Sequence, residues 1–138
     1  MEKITIFTDG GARGNPGPAA LGVVFYDAKN ALMSELSESI GDATNNVAEY
    51  MAIVRALQHL ATIVTDTKGV ILTVKLDSQL VQRQMEGEYK VKDENLKKLF
   101  EQAKVLTSEY AQVTFIHVPR EQNKEADKLV NKALDALR

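Results

Sequence analysis

The spacing of apolar residues changes near residue 45, and this change limits the fold more than any other feature of the chain. Before it, segments of strand-like composition are joined by short connections, which predicts an antiparallel meander. These segments are residues 3–8, 20–26 and 31–40, with a glycine- and proline-rich loop at 10–18. After it, helical spacing alternates with two short apolar runs, 70–76 and 113–118. The predicted order of elements is β-β-β-α-β-α-α-β-α.

The predicted helices cover residues 46–64, 78–85, 95–106 and 124–137. Asn46 and Glu49 have the spacing of a capping box at the start of the first helix. Such alternation after a meander predicts an α/β fold with a five-stranded mixed sheet, three antiparallel strands followed by two parallel ones, and helices on both faces. Because no repeat or linker interrupts the 138 residues, we expect one domain over residues 1–138.

The composition excludes several classes of protein for this chain. The chain has no cysteine, which excludes disulfide bonds and thiolate metal sites. Its first residues lack the features of a signal peptide, and its longest uncharged stretch, residues 14–26, is too short for a membrane helix. We therefore expect a cytoplasmic protein without a membrane partner, and we take it to be a monomer. The formal net charge of −2 is unlike that of a strongly basic nucleic-acid binder.

Two acidic residues, Asp9 and Asp77, directly follow the predicted first and fourth strands. If these strands are parallel neighbours, their ends are about 5 Å apart. Carboxylates at that distance repel each other, which raises at least one pKa, and a divalent cation between them removes the cost. Oxygen ligands of this kind suit Mg²⁺ or Mn²⁺.

Two further acids, Glu49 and Asp127, lie in the first turns of predicted helices that can start beside the same sheet edge. Four acids there would hold two metal ions able to activate a water and stabilise a leaving phosphodiester oxygen. Each acid also has an ordinary structural interpretation. Asp77 can cap a helix, Asp9 can belong to a turn, Glu49 can complete a capping box, and Asp127 can favour a helix dipole. The residues alone leave both interpretations open.

Four short motifs of the chain resemble those of type 1 ribonuclease H, in the order and spacing of that family. The motifs are Thr8-Asp9-Gly10-Gly11 with Gly14-Asn15-Pro16-Gly17-Pro18, then Thr44-Asn45-Asn46-Val47-Ala48-Glu49, Asp77-Ser78-Gln79, and Asn123-Lys124-Glu125-Ala126-Asp127. Each motif alone is weak, but together they cover nearly the whole chain. The segment 118–123 and a shortened middle are most similar to the compact archaeal and bacterial branch, which lacks a basic protrusion.

The resemblance implies a ribonuclease H-like fold and a metal-dependent endonuclease that hydrolyses the RNA strand of RNA–DNA hybrids. It implies two Mg²⁺ or Mn²⁺ ions held by Asp9, Glu49, Asp77 and Asp127. It also places Asn15, Asn45 and Gln79 in the minor groove of the hybrid, where amides can donate to and accept from 2′-hydroxyls. Gly10 and Gly11 would let the backbone approach the RNA strand closely.

The chain departs from the family's pattern in two places. Where many members carry a basic protrusion, residues 86–98 hold four lysines against four acids, which implies weaker hybrid binding. Many members also have a histidine in the loop before the fourth acid, and this loop has none. Arg120 is the nearest cationic candidate to replace it, since His117 lies earlier, near a strand end. Arg13, Lys90 and Lys92 are further candidates for phosphate contacts.

Two other functions remain compatible with these motifs. The chain can be a non-catalytic nucleic-acid-binding module, although such a module has no use for carboxylates that face phosphates. It can also be an integrase-, transposase- or resolvase-like nuclease, which likewise uses clustered acids. The Thr44-Asn45-Asn46 segment and the Gly-Asn-Pro-Gly loop at 14–17 favour ribonuclease H over these enzymes.

Overall fold

A computed structural model describes residues 1–137, and its strands form one five-stranded sheet in the order β3-β2-β1-β4-β5. The strands are β1 Glu2–Ala12, β2 Gly17–Tyr26, β3 Leu32–Ala43, β4 Val70–Leu76 and β5 Gln112–His117. The pairs β1–β2 and β2–β3 are antiparallel, whereas β4 runs parallel to both β1 and β5. The predicted mixed sheet is confirmed.

The helices follow in the predicted order. They are α1 Asn45–Ile63, α2 Gln79–Met85, α3 Glu94–Thr107 and α4 Lys124–Asp135, with short 3₁₀ turns at Thr67–Gly69 and Arg120–Gln122. Helix α1 begins one residue before the predicted start, and the predicted capping box is wrong, because Thr44 caps the helix by accepting a hydrogen bond from the Val47 backbone N–H at 3.2 Å. The side chain of Glu49 is therefore not part of a capping box with Asn46.

Strand β1 is longer than predicted and continues through Gly10 and Gly11 to Ala12. Both glycines pair with β2, which starts at Gly17, so the predicted loop shrinks to residues 13–16. Gly10 is needed for close packing rather than for a turn, because a Cβ atom there would collide with the backbone of Ala48 in α1. As a result Asp9 lies inside the strand, three residues before its end.

Helices cover both faces of the sheet, as predicted. On one face, α1 packs on β1 and β2 and is itself covered by α3, and Leu21, Val23 and Phe25 of β2 are buried there. On the other face α4 packs on β1, β2 and β3 against Ala20 and Val24. Among residues 1–137, no helix combines the length and apolar character needed to cross a membrane.

The close approach of α4 to the sheet depends on Gly22 in β2. A Cβ atom at this position would collide with the carbonyl oxygen of Ala126 and lie 2.8 Å from the Leu129 Cβ. Gly22 also pairs with Asp9 across the β1–β2 ladder. The absence of a side chain therefore brings the first turn of α4, which carries Asp127, next to the strand that carries Asp9.

We predict that Gly22→Ala destabilises the protein, because the new methyl group meets helix backbone that cannot rotate away. Overpacking of this kind typically costs about 1–3 kcal/mol, which urea unfolding would measure. Gly69→Ala is the matched control, since a Cβ there would meet only the Asp66 carboxylate, at 3.9 Å. Equal stability of the two variants would contradict the packing argument.

Candidate active site

Three acidic side chains converge where β1 and β4 lie side by side. Asp9 comes from β1, Asp77 directly follows β4, and Glu49 comes from the second turn of α1. One carboxylate oxygen from each lies within 4.8 Å of the other two. The parallel pairing of Thr8 with Leu76 brings the two strand-borne acids together, and the packing of α1 on Gly10 adds Glu49.

The ordinary structural interpretations of these three acids do not hold. Ser78, not Asp77, caps α2, since its side chain accepts a hydrogen bond from the Val81 N–H at 3.3 Å. Asp9 pairs within the sheet and is not part of a turn. Glu49 accepts a long-range hydrogen bond from the Gly10 N–H at 3.0 Å. The fold therefore directs all three carboxylates towards one another rather than to helix ends or turns.

Asp127 lies beside this group rather than within it. It is half-buried in the first turn of α4, and its carboxylate accepts a hydrogen bond from the Asn131 amide at 3.4 Å. Asp127 lines the same cavity of about 530 Å³ as the other three acids, and so does Arg120. The structure thus places all four predicted acids in one cavity, with Asp9, Glu49 and Asp77 mutually close and Asp127 next to Asp9.

Burial shifts the titration of the two most enclosed acids. Asp9 is 8% exposed, and burial raises its pKa to about 7; the adjacent Glu49 carboxyl group opposes the rise, while the charges of Asp77 and Asp127 add to it. Burial also raises the pKa of Glu49 well above its usual range, as does the charge of Asp9, and the Gly10 N–H opposes this only in part. Negative charge is therefore held here at a free-energy cost.

One oxygen of Glu49 has no partner. Oε1 accepts from Gly10, but Oε2 is buried and makes no hydrogen bond to any of residues 1–137. A buried carboxylate oxygen without a partner is costly, and a cation is the partner that would remove both this cost and the repulsion among the acids. The all-oxygen donor set is the kind that Mg²⁺ and Mn²⁺ prefer. The residues present therefore fit a divalent metal site.

Two asparagines, Asn45 in the cavity lining and Asn15 in the loop after β1, hold each other's segments in place. Asn15 Oδ1 accepts a hydrogen bond from the Asn45 N–H at 3.0 Å, and Asn45 Oδ1 accepts one from the Ala12 N–H at 2.8 Å. This ties the β1–β2 loop to the start of α1 and uses the acceptor end of both amides. The sequence predicts that these amides both donate to and accept from a ligand. Because both oxygens already accept hydrogen bonds inside the protein, the Nδ2 groups are the donors left for a ligand.

The remaining predicted contact residues lie around the acids. Gly10, Gly11 and Arg120 line the cavity, and Gln79 is exposed at the first position of α2. Gly11 has room for a ligand, because a Cβ atom there would meet nothing closer than 3.9 Å. His117 is an exposed residue at the end of β5 and does not line this cavity.

Arg13 is less available than expected. Its guanidinium donates to the Asp135 carboxylate at 2.7 Å and to Asn131 Oδ1 at 3.3 Å. A phosphate would therefore have to compete with groups on α4 for this side chain. Arg120, in contrast, is exposed in the 3₁₀ turn before α4.

Sequence reasoning missed the role of Asn123, which it treated only as part of a motif. This side chain is 1% exposed and donates from Nδ2 to the Thr8 carbonyl oxygen at 2.8 Å. The only sequence signal is an asparagine directly before a predicted helix, and that signal indicates a helix cap. The contact with β1 depends on tertiary structure and could not be read from spacing.

Known proteins similar to this chain share its fold and most of its length. Residues 7–133 match the family model described as reverse transcriptase-like. A structure of ribonuclease H1 isolated from compost by a metagenomic approach has 48% sequence identity and a TM-score of 0.94, with 100% of both chains covered. The same enzyme in complex with an RNA/DNA hybrid has 47% identity and a TM-score of 0.91 over 98% of this chain and 99% of that one. The predicted ribonuclease H-like fold is confirmed.

Curated relatives extend beyond the matched region. Ribonuclease HI of Halobacterium salinarum is 38% identical over 96% of this chain and 65% of its own length. A bifunctional protein of Mycobacterium tuberculosis is 42% identical over 97% of this chain. The chain spans only 36% of the mycobacterial protein, so that protein contains a large region with no counterpart here.

We predict that Asp9→Asn stabilises the metal-free protein at pH 8 but has little effect at pH 4. In the wild type, folded Asp9 keeps its proton up to a pKa of about 7, whereas the unfolded chain releases it near 3.8. Between these values the folded state binds more protons, so wild-type stability falls as pH rises. The variant has no carboxyl group to titrate at this position and does not lose stability in this way. At pH 8 its free energy of unfolding should therefore exceed that of the wild type by about 1 kcal/mol or more.

Urea unfolding in the presence of a chelator at the two pH values measures this difference. Asp42→Asn is the matched control, because Asp42 is exposed on β3 and far from the acids in the sheet order. If Asp9→Asn and Asp42→Asn have the same stability at pH 8, burial of charge at Asp9 is not costly.

Proposed function

The chain belongs to the type 1 ribonuclease H family, and from this premise we propose that it is a metal-dependent endonuclease that hydrolyses the RNA strand of RNA–DNA hybrids. The observation that carries the proposal is the convergence of Asp9, Glu49 and Asp77, with one Glu49 oxygen buried and unpartnered among residues 1–137. A relative 47% identical over almost the full chain is seen bound to an RNA/DNA hybrid, which supports the choice of substrate. We propose a single catalytic domain over residues 1–138.

The four acids Asp9, Glu49, Asp77 and Asp127 would hold two divalent cations, Mg²⁺ or Mn²⁺. When bound, such a pair supplies an activated water and charge stabilisation for the leaving oxygen. The chain's own contribution is to hold the carboxylates in place. The Gly10 N–H orients Glu49 from one side and Asn131 orients Asp127 from another. The raised pKa of Asp9 means that cation and proton compete for this site.

The residues around the acids would bind the hybrid. Asn15 and Asn45 offer amide donors whose orientation is set by their internal hydrogen bonds, and a 2′-hydroxyl can accept from them. We propose Gln79 as a further minor-groove contact, with Gly11 leaving space for the RNA strand, whereas the missing side chain of Gly10 makes room for α1. We propose that Arg120 neutralises phosphate charge next to Asp127, because both residues line the cavity.

Cleavage of a labelled hybrid in Mg²⁺, in Mn²⁺ and with a chelator tests the proposal, with duplex DNA and branched DNA as alternative substrates. We predict that Asp77→Asn lowers the rate of hybrid cleavage at limiting metal by roughly 100-fold or more. Losing one metal ligand is expected to raise the activation free energy by about 3 kcal/mol, which corresponds to such a factor. Asp42→Asn removes the same charge from an exposed position and should keep full activity.

Two results would overturn this function. Metal-independent cleavage, or full activity of Asp77→Asn in Mg²⁺, would show that the acids do not form the catalytic centre. Preference for branched or duplex DNA over the hybrid would point to a different nuclease with the same fold.

The substrate role of Asn45 has a separate test. Asn45→Asp keeps the acceptor for the Ala12 N–H but loses the amide donor. We predict that this variant folds normally yet cleaves the hybrid roughly three- to tenfold more slowly, the size of one lost hydrogen bond. The new charge can also repel phosphates, but that part is screened by salt. A loss that disappears in high salt would therefore mean that Asn45 donates nothing to the substrate.

A further inference from the structure

Asn123 precedes α4, but its side chain does not cap the helix. An asparagine there normally accepts a hydrogen bond from an N–H of the first helical turn. Here α4 has no side-chain cap. Instead the Asn123 Nδ2 donates to the Thr8 carbonyl oxygen at 2.8 Å, between residues 115 positions apart in the sequence. The side chain therefore links the helix to β1 rather than capping it.

This arrangement costs stability in two ways. The N-terminal N–H groups of α4 lose their usual side-chain partner, and the Oδ1 of Asn123 is buried without a hydrogen bond among residues 1–137. The side chain thus satisfies neither the helix end nor its own oxygen, and its one hydrogen bond among residues 1–137 is the link to Thr8.

The two ends of this link are adjacent to acids of the site. Thr8 directly precedes Asp9 in β1, and the Asp127 N–H donates to the Asn123 carbonyl oxygen at 3.1 Å, which places Asp127 one turn further along α4. Another polar contact of α4 with the sheet, from Ser37 Oγ to the Leu129 carbonyl oxygen at 2.6 Å, lies beyond Asp127. Asn123 thus anchors the end of the helix on the other side of Asp127.

We propose that Asn123 is a positioning residue: its hydrogen bond to Thr8 sets the place of Asp127 relative to Asp9 and thereby the affinity of the four acids for divalent cations. The proposal rests on the metal-holding role of these acids given under the proposed function. It explains why a buried asparagine is kept where its oxygen is unpaired.

The test uses Asn123→Ser and Asn123→Ala. Serine is a good helix cap, but its hydroxyl is too short to reach the Thr8 carbonyl, so Asn123→Ser should be at least as stable as Asn123→Ala. Both variants should bind Mn²⁺ alone, measured by calorimetry without nucleic acid, roughly three- to tenfold more weakly than the wild type, the size of one hydrogen bond.

Tyr110→Phe is the matched control. It removes another buried side-chain donor to a backbone carbonyl, from Tyr110 to Leu57 at 2.6 Å. Leu57 lies about two helical turns beyond Glu49 on α1, whereas Thr8 directly precedes Asp9. This variant should lose stability without any change in Mn²⁺ affinity. A general effect of destabilisation would instead weaken Mn²⁺ binding in Tyr110→Phe as well, and would overturn the proposal.

The decisive result is the Mn²⁺ affinity of Asn123→Ser. Wild-type affinity in this folded variant would overturn the positioning role, whereas weaker binding with retained stability would establish it. The titration needs no turnover, so it remains informative if the wild type fails to cleave any hybrid. That failure would overturn the proposed function, and the ratio of the affinities would still decide the role of Asn123.

Discussion

The repulsion between buried carboxylates is the constraint on which the rest of this structure depends. Asp9 and Glu49 are 8% and 6% exposed, and burial raises the pKa of both. No local structure would bring such groups together, because each would be more stable in water. Their proximity is therefore imposed by elements whose own packing is favourable, chiefly the pairing of β1 with β4 and the burial of α1 on the sheet. The packing of the core thus holds the acids together, and their burial lowers the stability of the folded protein.

Close backbone approach is what allows the two helices to deliver their acids. Gly10 lets α1 pack directly on β1, and Gly22 lets α4 pack directly on β2. In both cases the helix residue in contact lies next to an acid: Ala48 precedes Glu49, and Ala126 precedes Asp127. Small residues on strand and helix together thus set how near each carboxylate comes to Asp9. Substitutions at these positions would change the site without replacing any of the four acids.

The sequence predicted the fold where a single interaction dominates and failed where two compete. The bounds of β4 are as predicted, because its run of apolar residues has only one structural use, a buried parallel strand. Gly10 and Gly11 were misjudged as a loop, since glycine marks turns and close packing alike, and only the position of α1 decides between them. The start of α1 was misplaced because several neighbouring polar residues can cap a helix, and Thr44 does so. The convergence of the acids followed from the topology of strand ends, although Asp9 itself lies inside its strand.

Three asparagines show why the contact residues are harder to predict than the acids. Asn15 and Asn45 use their oxygens inside the protein, whereas Asn123 uses its donor inside and leaves its oxygen unpaired among residues 1–137. The residue type is the same, and the two ends of the amide have exchanged roles. A carboxylate has no such choice, because both of its oxygens only accept. The function of an acid can therefore be inferred from its position alone, whereas the function of an amide depends on which end its neighbours engage.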